Sequence, residues 1–323
     1  MADEKLDAMR EALVARLLED MDALGANWVR PWVSQAPQNP STGTVYQGRN
    51  ALILGFVIRS EGYDDPRFMT FRQAQKMGLK VAKGCHGWPV ERWGEVFFHK
   101  GRTGRIPQPK SAAERERYRR DPEVVSKVLP IGHYTVFNGS DIVGLDPFCA
   151  PDTMADTEAR RTLVESCPCE LKILTTDSAC YSPMFDRIEM PLAASFADEG
   201  TFLRCLLHEE VHATGAEGRL GRPGIVSGEG MGSESYAFEE LVAELGSVFA
   251  ASRLGIGLGD LAAADLQRDG AWENHGAYLK GWLQALPPEE RPRSLMAAAT
   301  QAGRAADWLW EHCFSKGEAD EAA

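Results

Sequence analysis

Apolar residues recur every three or four positions along residues 3–24, with charged residues between them. This is the period of an α-helix, so the segment is predicted to form a helix that packs one face against the core. Residues 51–58 are apolar throughout and show no such period. They fit a buried strand or a buried helix, because a short apolar run does not distinguish the two.

The rest of the first half contains shorter signals. Residues 71–77 are predicted to form a short helix, with Thr70 as its N-cap and Gly78 after its end. Further along we expect a β-hairpin from Val81 to His99 with turns at Lys83-Gly84 and Gly87, a polar Arg-rich insertion at 101–127, and a strand from Tyr134 to Phe137.

The second half alternates strand-like and helix-like segments. We predict strands at 171–175 and 187–190, a Gly-rich loop at 215–232, and helices at 202–213, 235–254, 274–286 and 294–314. The sign of the charge changes near Pro147 and Pro151, and we place a domain boundary there. The expected fold class is α+β, with one domain over 1–146 and a second over 147–323.

Composition limits the class of protein. Of the 323 residues, 44% are hydrophobic and 25% are charged, as in ordinary globular proteins. No run of eighteen apolar residues is present and the first residues are acidic and polar, so neither a membrane span nor a secretory signal is expected. The seven cysteines are scattered, which indicates reduced thiols and a cytoplasmic protein.

Charge is distributed unevenly along the chain. Residues 1–150 contain 21 Lys and Arg against 18 Asp and Glu, whereas residues 151–323 contain 14 against 29. Within 24–130 the numbers are 18 and 9, a net charge of +9. A basic block in a chain of net charge −12 suggests a local site for a polyanion, although a solvated basic surface has the same composition.

The sharpest chemical motif is His208-Glu209-Glu210-Val211-His212. Two histidines four residues apart lie on one face of a helix and can bind the same metal ion. Glu209, next to the first histidine, can then take a proton from water as the general base of a metal-dependent hydrolase. The apolar residues before the motif favour this interpretation over two solvent-exposed histidines.

A catalytic zinc site needs a third protein ligand. We assign Glu240 to this role and expect Glu244 to accept a hydrogen bond from a ligand histidine, with Glu239 as the main rival for the third ligand. Two imidazoles and a carboxylate favour Zn²⁺, while Mn²⁺ or Co²⁺ could occupy the same site. His275 could stabilise an oxyanion or donate a hydrogen bond within the core.

Aromatic and basic residues alternate between residues 28 and 93. Single-stranded nucleic acid is bound by aromatic side chains that stack on bases and by cations that neutralise phosphates, so this region is a candidate single-strand surface. Many of the same aromatic residues could instead belong to the core. The candidate contacts are Trp32, Tyr46, Arg49, Arg67, Arg72, Lys76, Lys80, Lys83 and Trp88, together with Asn50.

A set of short motifs is spread over nearly the whole chain. They are Asn39-Pro40, Gly48-Arg49-Asn50, the segment 68–75, Val136-Phe137-Asn138, Tyr181-Ser182-Pro183, Asp186-Arg187-Ile188, the metal motif with Thr214-Gly215, the segment 239–245 and Asn274-His275. This combination resembles the ArdC-type antirestriction proteins carried by plasmids and phages. The first half is also similar to a DNA-binding module of plasmid primases of the TraC kind.

The resemblance implies a fold and a function. It implies a mixed α/β domain that binds single-stranded DNA and a zincin-like metallopeptidase domain, in a protein that protects DNA entering a host from restriction. A host protein is then a candidate substrate of the peptidase. The Arg-rich insertion at 101–127 and Cys85-His86 depart from the family pattern, which leaves the individual DNA contacts open.

Two alternatives stay open at the level of sequence. The protein could be a single-strand-binding module whose metal site is structural or vestigial. It could also be an intracellular metalloprotease whose basic half binds an unrelated protein or RNA. The first predicts protection of DNA without Glu209, and the second predicts no preference for single-stranded DNA.

Overall fold

The computed structural model describes residues 2–24, 36–150, 154–176, 178–196, 198–228, 233–256 and 279–314. The helices of the first half are α1 Ala2–Leu24, α2 Gly48–Glu61, α3 Phe71–Lys76 and α4 Ala112–Arg120. Its strands are β1 Gln38–Asn39, β2 Thr44–Val45, β3 Phe68–Thr70, β4 Lys80–Val81, β5 Trp88–His99, β6 Val124–Asn138 and β7 Ile142–Val143.

The second half begins with α5 Asp156–Glu165. Its further elements are β8 Glu170–Leu174, β9 Cys180–Ser182, β10 Arg187–Pro191, α6 Glu199–Thr214, α7 Pro223–Val226, α8 Glu234–Leu254 and α9 Arg291–Leu309. Residues 279–285 are helical, and a π-helical turn, Trp310–Phe314, follows α9. Helices and strands are mixed in this way over the described chain, which confirms the expected α+β class.

The periodic first segment forms the predicted helix α1, whose apolar stripe, including Leu13 and Leu17, is buried. The ambiguous apolar run at 51–58 also forms a helix, as part of α2. Residues on several sides of α2, including Leu52 and Leu54, are buried, and a helix buried on several sides shows no amphipathic period. The short helix α3 begins at the predicted cap, where the Thr70 hydroxyl accepts a hydrogen bond from the Gln73 backbone N–H.

The predicted hairpin from Val81 to His99 is wrong. Strand β4 pairs with β7, whereas β5 pairs antiparallel with β6, with His99 opposite Val124. The turn at Lys83-Gly84 therefore joins strands of two different sheets, and the true hairpin closes across the Arg-rich insertion. Turn chemistry is a local property, but the partner of a strand is chosen by distant residues.

The main sheet of the first half has the strand order β3-β6-β5, and the predicted strand at 134–137 is part of the long central strand β6. In the second half the order is β8-β10-β9, with β8 parallel and β9 antiparallel to β10. Both predicted strands of that half are present, and β9 lies at the sheet edge. This edge strand is the one that contacts the metal motif.

One hydrophobic core connects the two halves of the chain. It includes Leu54 of α2 and Leu206 of α6, and helix α9 packs against α8, α6 and α2. Two glycines lie close together where the halves meet: a Cβ on Gly303 would lie 2.8 Å from the Cα of Gly48. The position of the boundary at 146 stays a prediction. Among the described helices, none has the length and apolar character needed to cross a membrane.

Candidate metal centre

Helix α6 carries both histidines of the metal motif and is buried on every side. Asp198 caps the helix by accepting a hydrogen bond from the Thr201 backbone N–H at 2.7 Å. All residues from Thr201 to Thr214 are buried, so α6 lies inside the core. His208 and His212 are one turn apart on the same face, as their spacing predicts.

Helix α8 brings a carboxylate to these histidines. The Oε2 atom of Glu240 lies 3.3 Å from Nε2 of His208 and 3.4 Å from Nε2 of His212. The two Nε2 atoms are 3.1 Å apart, and all three residues are buried. The three donor atoms thus form a nearly equilateral triangle.

This triangle fits a metal ion. Bonds of about 2.0–2.1 Å from Zn²⁺ to nitrogen and oxygen in a tetrahedral site place neighbouring ligand atoms about 3.3–3.4 Å apart. The observed edges of 3.1, 3.3 and 3.4 Å are close to that value. Imidazole and carboxylate are also the donors that Zn²⁺ and similar ions accept. His208, His212 and Glu240 could therefore hold a metal ion.

Glu239, the rival third ligand, faces the other nitrogen of His212. Its Oε1 lies 3.1 Å from Nδ1 of that ring, and Arg222 donates hydrogen bonds of 2.6 and 2.8 Å to its two oxygens. Arg222 also donates to the Thr214 hydroxyl and to the Val211 carbonyl, each at 2.7 Å. A carboxylate at Nδ1 favours the tautomer that keeps a proton there and leaves Nε2 for a metal. The geometry therefore supports Glu240 as the ligand.

Two glycines make room for the Arg222–Glu239 ion pair. A Cβ on Gly215 would lie 2.9 Å from Nη2 of Arg222, and a Cβ on Gly224 would lie 2.5 Å from the Cβ of Glu239. Both glycines belong to the Gly-rich loop predicted at 215–232. Part of this loop therefore serves the close packing around the second histidine.

Glu244 stands in a similar relation to His208. Its Oε1 lies 3.7 Å from Nδ1 of His208, and its Oε2 lies 3.7 Å from Nη2 of Arg204. These distances are longer than a hydrogen bond, so the interaction is electrostatic in this arrangement. Glu244 therefore lies on the predicted side of the ring without the expected direct hydrogen bond to Nδ1.

The carboxylates give the centre a strongly negative potential. Burial lowers the pKa of His212, but Glu240 and Glu239 outweigh burial and raise that pKa well above its ordinary value. Burial also raises the pKa of Glu239, and hydrogen bonds from Arg222 and His212 reverse this shift and lower it. A potential that favours a proton on a buried imidazole also favours a divalent cation among the same groups.

Glu210 takes no part in this arrangement. It is fully buried, and neither of its carboxyl oxygens has a hydrogen-bond partner in the part of the chain that the structure describes. Burial, with the nearby Cys167, raises the pKa of Glu210 well above its ordinary value. Its carboxyl group is an unsatisfied polar group inside the core.

Glu209 is held by the neighbouring sheet. Its Oε2 accepts a hydrogen bond of 2.7 Å from the backbone N–H of Tyr181 in the edge strand β9. The Tyr181 hydroxyl donates to Asp186 at 2.9 Å, and Asp186 accepts two hydrogen bonds of 2.7 Å from Arg219. These contacts fix Oε2 of Glu209, and no described residue forms a hydrogen bond with its Oε1.

Arg222 and Arg219 were not singled out in the sequence, and Asp186 appeared there only as part of a motif. The signal that could have found the two arginines is a pair of cations in an otherwise Gly-rich loop. Their partners lie in other elements, so the pairing becomes visible only in three dimensions. Two predicted site residues, His275 and Trp32, lie outside the described residues.

Five of the predicted DNA contacts have partners within the protein. Asn50 hydrogen-bonds both backbone groups of Glu91, at 2.8 and 2.9 Å, and Nε of Arg49 donates to the Thr300 hydroxyl at 2.8 Å. The other intramolecular contacts are those of Tyr46 with the Phe68 carbonyl and of Arg67 with Asp65, while Trp88 is buried. Four of these side chains make contacts within the first half, and Arg49 joins the first half to α9.

The remaining predicted cations form a surface around α3. Arg72, Lys76, Lys80 and Lys83 are all exposed, and no ion pair involves them among the described residues. Two apolar side chains of the same segment, Phe71 and Met77, are also exposed, at 55% and 43%. We call these six residues the α3 surface. Its mixture of cations and apolar groups is typical of single-strand binding.

Two family models match the chain. Residues 7–137 match the N-terminal domain of the anti-restriction factor ArdC. Residues 158–301 match a zincin-like metallopeptidase domain. The two domains follow each other in the order that the sequence motifs predict.

Curated relatives resemble the chain over nearly its whole length. Two proteins described as DNA primase TraC from Escherichia coli are 31% and 30% identical over 93% and 95% of this chain. The chain spans 27% and 20% of the length of these two relatives. The uncharacterized protein y4eC of Sinorhizobium fredii is 29% identical, over 93% of this chain and 90% of its own length.

Two solved structures of the antirestriction protein ArdC from the R388 plasmid are also similar. The metal-free structure has a TM-score of 0.61 at 29% identity, and the Mn(II)-bound structure has a TM-score of 0.63 at 26% identity. Each match covers 94% of this chain and 97% of the solved ArdC chain. The chain belongs to the ArdC-like antirestriction family, with an ArdC N-terminal domain followed by a zincin-like metallopeptidase domain.

Proposed function

We propose that this protein binds single-stranded DNA entering a cell, protects it from restriction, and carries a metal-dependent peptidase site for a host protein. The observation that carries the proposal is the convergence of His208, His212 and Glu240, with Glu209 next to His208 in the sequence, in a chain of the ArdC-like family. The exposed cations of the α3 surface support the DNA-binding part. The setting of this function is the cytoplasm of the recipient cell.

Each residue of the centre has a chemical task in this proposal. His208, His212 and Glu240 hold the ion, Zn²⁺ or alternatively Mn²⁺ or Co²⁺, which when bound supplies a Lewis acid for the peptide carbonyl and for water. Glu209 takes a proton at Oε1 while the Tyr181 N–H keeps its Oε2 in place. The Mn(II)-bound structure of ArdC from the R388 plasmid supports a divalent cation in this protein.

Replacing Glu209 with Gln tests the role of the base. We expect Glu209→Gln to retain metal and to lose about 10²–10⁴-fold in the rate of cleavage of a protein substrate, because the amide cannot accept the proton. Glu217→Gln, which removes an exposed carboxylate beyond the end of the same helix, is the matched control. Cleavage by Glu209→Gln at the wild-type rate would exclude this role.

A DNA-binding module with a structural metal site is a second candidate function. The observation that favours it is the hydrogen bond from Tyr181 to Glu209, since a carboxylate can occupy this position for structural reasons alone. The two functions differ in a DNA-transfer assay into a restricting host. If Glu209→Gln protects the incoming DNA as well as wild type does, the binding module is correct and protection needs no cleavage.

Fluorescence anisotropy tests the DNA-binding part directly. A labelled single strand and the corresponding duplex are titrated with the protein at two salt concentrations. We expect tighter, salt-dependent binding to the single strand, and weaker binding when Arg72, Lys76, Lys80 and Lys83 are replaced together by Gln. Equal binding to single strand, duplex and RNA would favour the third alternative, a metalloprotease with an unrelated partner.

A further inference from the structure

The proposed function does not use the Arg-rich insertion at 101–127, which lies at the end of the long β5–β6 hairpin. Strand β5 has 12 residues, which corresponds to about 40 Å at the usual rise per residue. At the base of the hairpin, Val136 pairs with both Trp88 and Thr70, the residue before α3. We call residues 88–138 the arm. Its base adjoins the α3 surface, and its far end carries the insertion.

The far end of the arm is held in place by its own contacts. The Tyr118 ring of α4 packs edge-on against Phe97 of β5, with 5.2 Å between the ring centroids. Arg119 of the same helix donates hydrogen bonds to both carboxylate oxygens of Glu95. Ile106 is buried, and its backbone N–H bonds to the Phe97 carbonyl. The helix therefore presents a pre-formed surface, which lowers the entropic cost of binding a partner.

Cations that form no direct ion pair with a described residue remain on this surface. Residues 100–127 contain nine Lys and Arg against four Asp and Glu. Three arginines are paired with glutamates: Arg117 with Glu114, Arg119 with Glu95, and Arg120 with Glu116. Arg102, Arg105 and Arg115 are exposed, and the described residues offer them no ion pair. A phosphate chain supplies the negative charge that this surface lacks.

Aromatic and basic side chains also occur along the hairpin between the base and the far end. The Arg92 guanidinium lies 5.7 Å from the ring of Tyr134, and Nζ of Lys127 lies 6.0 Å from the ring of Phe98. Tyr134 is 48% exposed. An exposed aromatic ring beside a cation can stack on an unpaired base while the cation contacts the backbone.

We infer that the arm is a second contact surface for the DNA strand that binds the α3 surface. The unpaired arginines at its far end contact phosphates, and Tyr134 stacks on a base. The exposed aromatic ring favours a strand with unstacked bases over a duplex. This inference rests on the proposed function, and it predicts that a strand must be long to use both surfaces.

The test compares wild type with the triple variant Arg102→Gln, Arg105→Gln, Arg115→Gln on short and long single strands. An oligonucleotide of about 8 nucleotides is long enough for one of the two surfaces, and one of about 30 nucleotides is long enough for both. Loss of three phosphate contacts lowers the slope of log affinity against log salt by about 2 for the long strand, since each contributes about 0.7. We expect affinity for the long strand to fall about tenfold or more at low salt, and affinity for the short strand to change little.

The matched control removes three cations from the second half: Arg161→Gln, Arg293→Gln and Arg304→Gln, all at exposed positions. A wild-type salt slope in the arm variant, or an equal fall in the control, overturns the inference and leaves the proposed function in place. A loss confined to duplex DNA or RNA also overturns it. If wild-type protein binds no single strand, the proposed function fails and the inference fails with it.

Discussion

At the metal centre charged groups are buried and paired, whereas at the far end of the arm they are exposed and cations are in excess. Glu239 and Arg222 are each 2% exposed and bonded to one another, while Arg102 and Arg105 face solvent. A buried charge without a partner is costly, so each charge at the centre fixes the position of another. An exposed charge hardly constrains its neighbours. Its contribution to binding a polyanion depends on how many such charges there are and decreases as the salt concentration rises. The two regions should therefore respond differently to substitution.

The largest effect is expected from removing a ligand at the centre. His212→Ala should abolish stable metal binding, because it leaves only two of the three donor atoms on the ion. Metal content after dialysis, measured by mass spectrometry, reports the loss. His312→Ala removes an exposed histidine that stacks on Trp308 and serves as the control. Full metal occupancy in His212→Ala would refute the ligand set.

A smaller effect is expected from the carboxylate behind His212. Glu239→Gln should weaken metal binding about 10–100-fold, because Nδ1 of His212 loses its charged partner while the three ligands stay. Competition with a chelator measures the affinity, and Glu234→Gln, at an exposed position on the same helix, is the control. If Glu239→Gln removes the metal completely and Glu240→Gln keeps it, the assignment of the third ligand is reversed.

At the junction between the two halves, the close packing of Gly303 against Gly48 can be tested by adding a methyl group. A methyl group on Gly303 would lie 2.8 Å from Cα and 2.9 Å from N of Gly48, so Gly303→Ala should lower the free energy of unfolding by about 1–3 kcal/mol. Gly281→Ala is the matched control, because a Cβ there meets no described atom within 4 Å and alanine favours a helix. Thermal unfolding measures both; similar melting temperatures for the two variants contradict the close approach.

The smallest effect is expected at Glu210, a buried residue of helix α6 that lies outside the metal centre and whose carboxyl group has no hydrogen-bond partner among the described residues. Glu210→Met should raise the free energy of unfolding by about 1 kcal/mol, because it replaces an unsatisfied buried carboxyl with an apolar group of similar size. Denaturant unfolding of the metal-free protein measures the change. A marked loss of stability in Glu210→Met would show that the carboxyl has a partner that stabilises it.

Much of the centre could be predicted from the sequence. His208, His212 and Glu240 lie on two helices whose apolar patterns are strong, and spacing on a helix determines which side chains share a face. The predicted role of Thr70 as a helix cap is confirmed for the same reason, since capping involves residues only three positions apart. Chemistry that depends on neighbours along one element is visible in the sequence.

Most features that depend on contacts between elements could not be predicted. The sequence left residues 51–58 undecided between strand and helix, and burial on several sides of α2 removes the period that would have decided it. The partner of β5 lies beyond an insertion that contains a helix of its own. Pattern alone also placed Arg49 and Asn50 on a DNA surface, whereas the structure gives both side chains intramolecular partners.

The sequence by itself determined the helices α1, α3, α6 and α8, the spacing of the metal motif and the excess of positive charge in the first half, because each depends on composition or on residues a few positions apart. Only the tertiary structure decided that Glu239 faces Nδ1 of His212 while Glu240 faces Nε2, since the two carboxylates are adjacent in sequence and differ only in direction. It also decided which arginines form ion pairs among the described residues. Pairing requires atoms from distant segments to approach within a few ångströms, and no local pattern encodes that distance.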